Sequence, residues 1–162
     1  MGVHTRATGV RASRIAQCVV GAAAVVATVL VISGPATAAP SAQLVPGTPC
    51  TTTARACVDL AAASAWLIAD GSVTYGPVPI ASGPPEAETP KGTTVVDWKS
   101  RYHHSREFGG VAMHYAVFFA PGGIAVHEGV IDHPSAGCVR LETEAASRFF
   151  DTLAVGDEVQ VR

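Results

Sequence analysis

The stretch IAVHEGVIDHPSAGCVRL, residues 124–141, decides how this chain is read. An apolar run ends on His127, ten residues intervene, and Cys138-Val139-Arg140-Leu141 then resumes an apolar pattern, so the histidine and the cysteine sit on two different elements. A thiol attacks a carbonyl as its thiolate, and with an ordinary pKa of ~8.5 it needs a base or a positive field to supply that form near neutral pH. His127 is a candidate base and Cys138 a candidate nucleophile. Gly137 lets the backbone approach a substrate closely, and the consecutive N–H groups of Ala136, Gly137 and Cys138 are candidate donors to an oxyanion. If Cys138–Leu141 is extended, the period of two turns Arg140 to the same face as Cys138, where a guanidinium holds a carboxylate or lowers the thiol pKa. The plainer alternative for Arg140 is a surface pair with Glu142 or Glu144.

Downstream the period changes. Glu142-Thr143-Glu144 opens a run with Ala145, Ala146, Phe149, Phe150 and Leu153 at helical spacing and acidic groups at the positive end of the dipole, which predicts one short helix ending near Leu153. Gly156-Asp157 then turns into a last strand, Glu158–Val161. Upstream, short strands are expected at Cys57–Leu60, Ala65–Ala69, Ser72–Ile80, Thr94–Lys99, Val111–Phe119 and Ile124–His127, punctuated by Asp70-Gly71, Ser82-Gly83-Pro84-Pro85 and Pro121-Gly122-Gly123. Ala61–Ser64 is too short to hold a helix and reads as a hairpin connection. Tyr102–Phe108 is polar and rich in histidine. One helix among about seven strands makes the fold mainly β, a sandwich or small barrel.

The chain's first 38 residues read as an export signal: Arg6, Arg11 and Arg14 precede an uncharged run from Ile15 to Ile32, and Pro35-Ala36-Thr37-Ala38-Ala39 offers small residues for cleavage. The alternative is an uncleaved anchor, since that run reaches the lower end of a membrane span. Either way the remainder is expected outside the cytoplasmic membrane, in the wall or secreted. Residues 39–55 are rich in Pro, Ala, Thr and Gly and are expected as a flexible lead-in, with no core over 39–49. Without residues 1–38 the chain carries eight basic against thirteen acidic residues, which argues against a nucleic-acid partner. Three cysteines remain; Cys50 and Cys57 most simply pair in an oxidising compartment, which leaves Cys138 as the odd thiol. His103, His104, His114 and His133 match no metal template, so neither metal nor cofactor is expected. A domain this small is expected to be a monomer.

Pro134-Ser135-Ala136-Gly137-Cys138-Val139-Arg140-Leu141, preceded by Ile124-Ala125-Val126-His127, resembles the active-site signature of the L,D-transpeptidases (YkuD-like catalytic domains), and Glu88-Thr89-Pro90-Lys91-Gly92-Thr93 is similar to that family's threonine-proline-x-glycine-threonine stretch. The resemblance covers residues 57–162 and implies a secreted β-sandwich that remodels peptidoglycan during cell-wall biogenesis. It implies that Cys138 attacks the carbonyl of the third stem residue, expels the terminal D-alanine and passes the acyl group to an amine, with His127 moving the proton. It also implies that Glu128 orients His127 through its backbone oxygen, that Ser135, Tyr115 and Met113 lie at or under the groove, and that carbapenems acylate the thiol. Phe118 and Phe119 read as core. The sequence departs from the family at Ala136, where a second histidine is common, and His133 in the same loop is the candidate substitute. A hydrolytic L,D-carboxypeptidase and a catalytically weak wall-binding module are the alternatives.

Overall fold

The computed structural model describes residues 43–107 and 109–162; the expected export signal lies outside them. Two sheets face each other. The first has five strands in the order β3 (Ser72–Pro79), β2 (Ser64–Ala69), β1 (Ala56–Asp59), β9 (Glu158–Val161) and β4 (Gly92–Val95). The second has four, in the order β5 (Trp98–His104), β6 (Ala112–Ala120), β7 (Ile124–Glu128) and β8 (Val139–Leu141). Neighbours are antiparallel except β1 with β9 and β7 with β8. The one α-helix among the described residues, α1 (Thr143–Thr152), buries Ala145, Ala146 and Phe149 at the spacing of one helical face. It joins Val117, Phe119, Val126, Val139 and Leu141 of the second sheet and Val58, Leu67, Val159 and Val161 of the first in one core. Lys99 of β5 donates to the carbonyls of Phe150 and Leu153 at the end of α1, where the helix leaves acceptors unpaired and favours a cation.

The first sheet is buried on both faces at β1 and β2. Ala56, Val58, Ala65 and Leu67 turn into the main core, while Cys57, Trp66 and Ile68 point outward into a second cluster with Val45, Cys50 and Ala54. This corrects the expectation for residues 43–55. Val45 is 1% exposed and Cys50 fully buried, because Trp66 and Ile68 would otherwise face water, and burying one such side chain is worth roughly 1.5–3 kcal/mol. Cys50 and Cys57 form a disulfide, Cα atoms 5.8 Å apart, that ties this segment to β1.

Two further differences from the sequence reading bear on the site. The strand expected at Thr94–Lys99 is two strands: β4 belongs to one sheet and β5 to the other. Val96 N–H donates to Asp157, next to β9 of the first sheet, and Asp97 N–H to Phe118 in the second, so the chain passes from one sheet to the other across these two residues. Along β6, Met113 and Phe118 share one cluster although five residues apart, an odd spacing that the period of two forbids. The slip coincides with Tyr115, whose φ of 55° lies in the left-handed region.

Candidate active site

The β7–β8 pairing builds the site. It is parallel, with His127 opposite Arg140 and Val126 opposite Val139. Val126 and Val139 enter the core, so the alternate residues Ala125 and His127 on β7, and Cys138 and Arg140 at β8, share the other face. There His127, Cys138 and Arg140 line a cleft of roughly 620 Å³ with Trp98, Met113 and Phe118.

The His127 ring is fixed by a short contact of 2.6 Å from Nδ1 to the backbone oxygen of Glu128. A carbonyl only accepts, so Nδ1 carries the proton and Nε2 keeps its lone pair. Burial pushes the imidazole below its ordinary 6.5, opposed by the bond to Glu128 and reinforced by the charge of Arg140. Burial likewise raises the Cys138 thiol, opposed by the Ala125 backbone N–H and by Arg140. The resting pair is therefore a neutral thiol and a neutral imidazole rather than an ion pair. The thiol lies 3.8 Å from the Gly123 carbonyl, the acceptor it faces at the β6–β7 turn.

The loop before the nucleophile is held by hydrogen bonds between the Ser135 hydroxyl and its backbone. Ser135 Oγ donates to the Cys138 carbonyl and accepts from the Gly137 N–H at 3.1 Å. That occupies one of the three amides read from the sequence as oxyanion donors. Gly137 has a φ of 110°, a conformation that a side chain would strain.

Arg140 makes no pair with Glu142 or Glu144; its guanidinium donates to the His133 backbone oxygen and, at 3.2 Å, to the His133 ring. Its Nε is buried with no partner among the described residues. His133 is thus engaged by Arg140 and Asp132 and does not line the cleft. The Glu128 carboxylate turns away from the cleft, toward Thr143 at 2.6 Å and His114 at 3.3 Å. Met113 lines the cleft, as does the outer face of Phe118. Tyr115 does not: its left-handed backbone turns the ring against Phe150 of α1, where Arg101 covers it, which corrects the placement at the groove.

Sequence reasoning missed Trp98, His103 and Thr89. Trp98 stacks on Phe118 at 3.7 Å and 6°, and His103 meets both rings edge-on at 5.3 and 5.0 Å, forming an aromatic wall of the cleft. Trp98 and His103 are also five residues apart, so alternation along β5 could not place them together. Thr89, fully buried, was marked by its motif but not by any role. Among the described residues no group of three or more His, Cys, Asp or Glu side chains is placed to hold a metal.

The two-sheet β fold thus places one cysteine and one oriented histidine on a single cleft. The L,D-transpeptidase catalytic domain (YkuD) profile matches residues 53–161, and the chain belongs to that family. Among solved structures, an L,D-transpeptidase from Stackebrandtia nassauensis is 28% identical with a TM-score of 0.62, the match covering 66% of this chain and 54% of that one. One from Mycobacterium smegmatis is 26% identical with a TM-score of 0.59, covering 66% and 57%. The L,D-transpeptidase LdtMt1 in complex with imipenem is 26% identical with a TM-score of 0.60, again covering 66% and 57%. The chain therefore spans only 54–57% of the length of these relatives. No curated protein sequence matches it significantly.

Proposed function

We propose that this chain is an exported cysteine acyltransferase that acts on peptidoglycan stem peptides, with Cys138 as nucleophile and His127 as the proton carrier. The observation that carries the reading is the shared cleft of Cys138 and a His127 whose Nδ1 is committed to the Glu128 carbonyl, which leaves Nε2 as the base. As the sulfur attacks the carbonyl of the third stem residue, the thiol proton passes to Nε2 and negative charge develops on the carbonyl oxygen. Collapse breaks the bond to the terminal D-alanine, whose amine takes the proton from His127, and a thioester remains. An amine of a second stem then attacks the thioester, gives its proton to His127 and releases the thiol, so no redox or metal step is needed. Arg140, a cation whose side chain lines the same cleft, suits a substrate carboxylate.

The test is acylation. Purified protein incubated with imipenem, the ligand of the LdtMt1 structure, is expected to gain one covalent adduct by mass that Cys138→Ala loses; no adduct at any concentration would overturn the reading in favour of a wall-binding module. Incubation with tetrapeptide stems separates transfer, which yields dimers, from hydrolysis, which yields shortened monomers.

A further inference from the structure

The segment from Ala81 to Thr89 leaves the first sheet, makes a single 3-10 turn at Pro85–Ala87, and straps the nucleophile loop from behind. Ala81 and Arg140 exchange two backbone bonds of 3.0 and 2.8 Å, and Ser135 N–H donates to Ser82 at 2.9 Å. At the centre lies Thr89, whose hydroxyl donates to the Gly137 carbonyl at 2.8 Å and accepts from the Gly83 N–H at 3.0 Å. The fit leaves no slack: a Cβ on Gly83 would stand 1.8 Å from the Ala87 oxygen and 2.9 Å from the Gly137 Cα.

We infer that Thr89 is a positioning residue for acyl transfer, fixing the plane of the Gly137–Cys138 peptide so that the Cys138 N–H serves as the oxyanion donor. A trans peptide is planar, with its C=O and N–H on opposite sides. The Gly137 carbonyl is drawn to Thr89, which is fully buried and not part of the cleft wall, so the Cys138 N–H, which points the opposite way within that plane, turns toward the cleft. The Gly137 N–H is already spent on Ser135, which makes the next amide the one whose aim matters. The backbone alone does not hold this aim, because a glycine at φ 110° has wide freedom on both sides of the peptide. The inference rests on the reading of Cys138 as the acyl-transfer nucleophile.

Two reactions of the same sulfur separate positioning from structure. Acylation by imipenem joins sulfur to the β-lactam carbonyl, breaks the ring C–N bond, delivers the thiol proton to the ring nitrogen and passes through an oxyanion. Alkylation by iodoacetamide displaces iodide with no oxyanion. Thr89→Val keeps the shape and loses the hydroxyl; it is expected to slow acylation by about 10–100-fold, less than the loss of a whole oxyanion donor, and to leave alkylation unchanged. Thr89→Ser is expected to restore acylation. Equal acylation in Thr89→Val and the unaltered protein, parallel loss of both reactions, or failure of serine to rescue would each overturn the inference. If valine disturbs the packing, Thr89→Ala gives the same readout, and unfolding of both with serine intact would reduce Thr89 to a stabilising residue and overturn it. An unaltered protein that alkylates but never acylates would instead overturn the reading of the nucleophile itself.

Discussion

The chain's three described cysteines lie in two regions built on opposite principles. Around Cys50 and Cys57 the packed side chains are apolar: Val45, Ala54, Trp66 and Ile68 cluster with a closed disulfide on the outer face of the first sheet. Around Cys138 the backbone is held by hydrogen bonds from Ser135, Thr89 and Ala81, and the sulfur itself opens onto a cleft. Apolar burial is not directional and secures a position cheaply; hydrogen bonds fix the orientation of a peptide plane, which catalysis requires and stability does not. One region should therefore govern folding and the other rate, and substitutions can separate them.

The largest effect is expected at the nucleophile. Cys138→Ala should abolish the imipenem adduct while leaving the thermal midpoint close to that of the unaltered protein; a large fall in the midpoint would mean that the cleft, too, is structural. His127→Gln, which keeps a hydrogen-bonding side chain but loses the base, should lower the acylation rate by about 10²–10⁴-fold. The unaltered protein's pH–rate profile tests the same pair. A protonated imidazole cannot accept the thiol proton, and burial holds His127 below 6.5, so acylation should stay level through neutral pH and fall only below that ordinary value. With the Cys138 thiol raised by burial, a further rise belongs on the alkaline side as the thiol ionises unaided. An acid limb centred above 6.5 would contradict the neutral resting pair.

At the other cysteine region the order reverses. Replacing Cys50 and Cys57 together by alanine opens a loop of sequence separation 7 and should cost about 2 kcal/mol in denaturant melts, with the acylation rate of the folded protein unchanged. A loss of rate in step with stability would erase the contrast. The smallest effect is expected at Gly129, where a Cβ would meet Arg140 Cδ at 2.7 Å and Cγ at 3.0 Å. Moving that stem off its rotamer costs ~0.5–1.5 kcal/mol, so Gly129→Ala should raise KM several-fold for a carboxylate-bearing stem peptide with little change in kcat.

Much of this was readable in the sequence. The helix at Thr143–Thr152 follows from the spacing of Ala145, Ala146 and Phe149, and the β1–β2 hairpin from two apolar runs joined by an alanine-rich connection too short to hold a helix. Both are local patterns, set by residues that are neighbours in the chain. The strands that cross between sheets at Val96 and Asp97 were not separable, because extended backbone looks the same whichever sheet receives its hydrogen bonds. Tyr115 was misplaced because a left-handed residue inside a strand reverses the faces that alternation assigns.

By itself the sequence determined which groups are available for chemistry: a single thiol beyond the Cys50–Cys57 pair in residues 39–162, a histidine ending the preceding strand, and a glycine before the cysteine. Those are properties of residue type and short spacing. The tertiary structure alone decided the state and aim of these groups. Burial makes the thiol and imidazole neutral, the Glu128 carbonyl selects the His127 tautomer, and Thr89 reaches across 48 positions of sequence to the Gly137 carbonyl. Solvent exclusion and hydrogen-bond direction depend on atoms far apart in the chain, and only folding brings those atoms together.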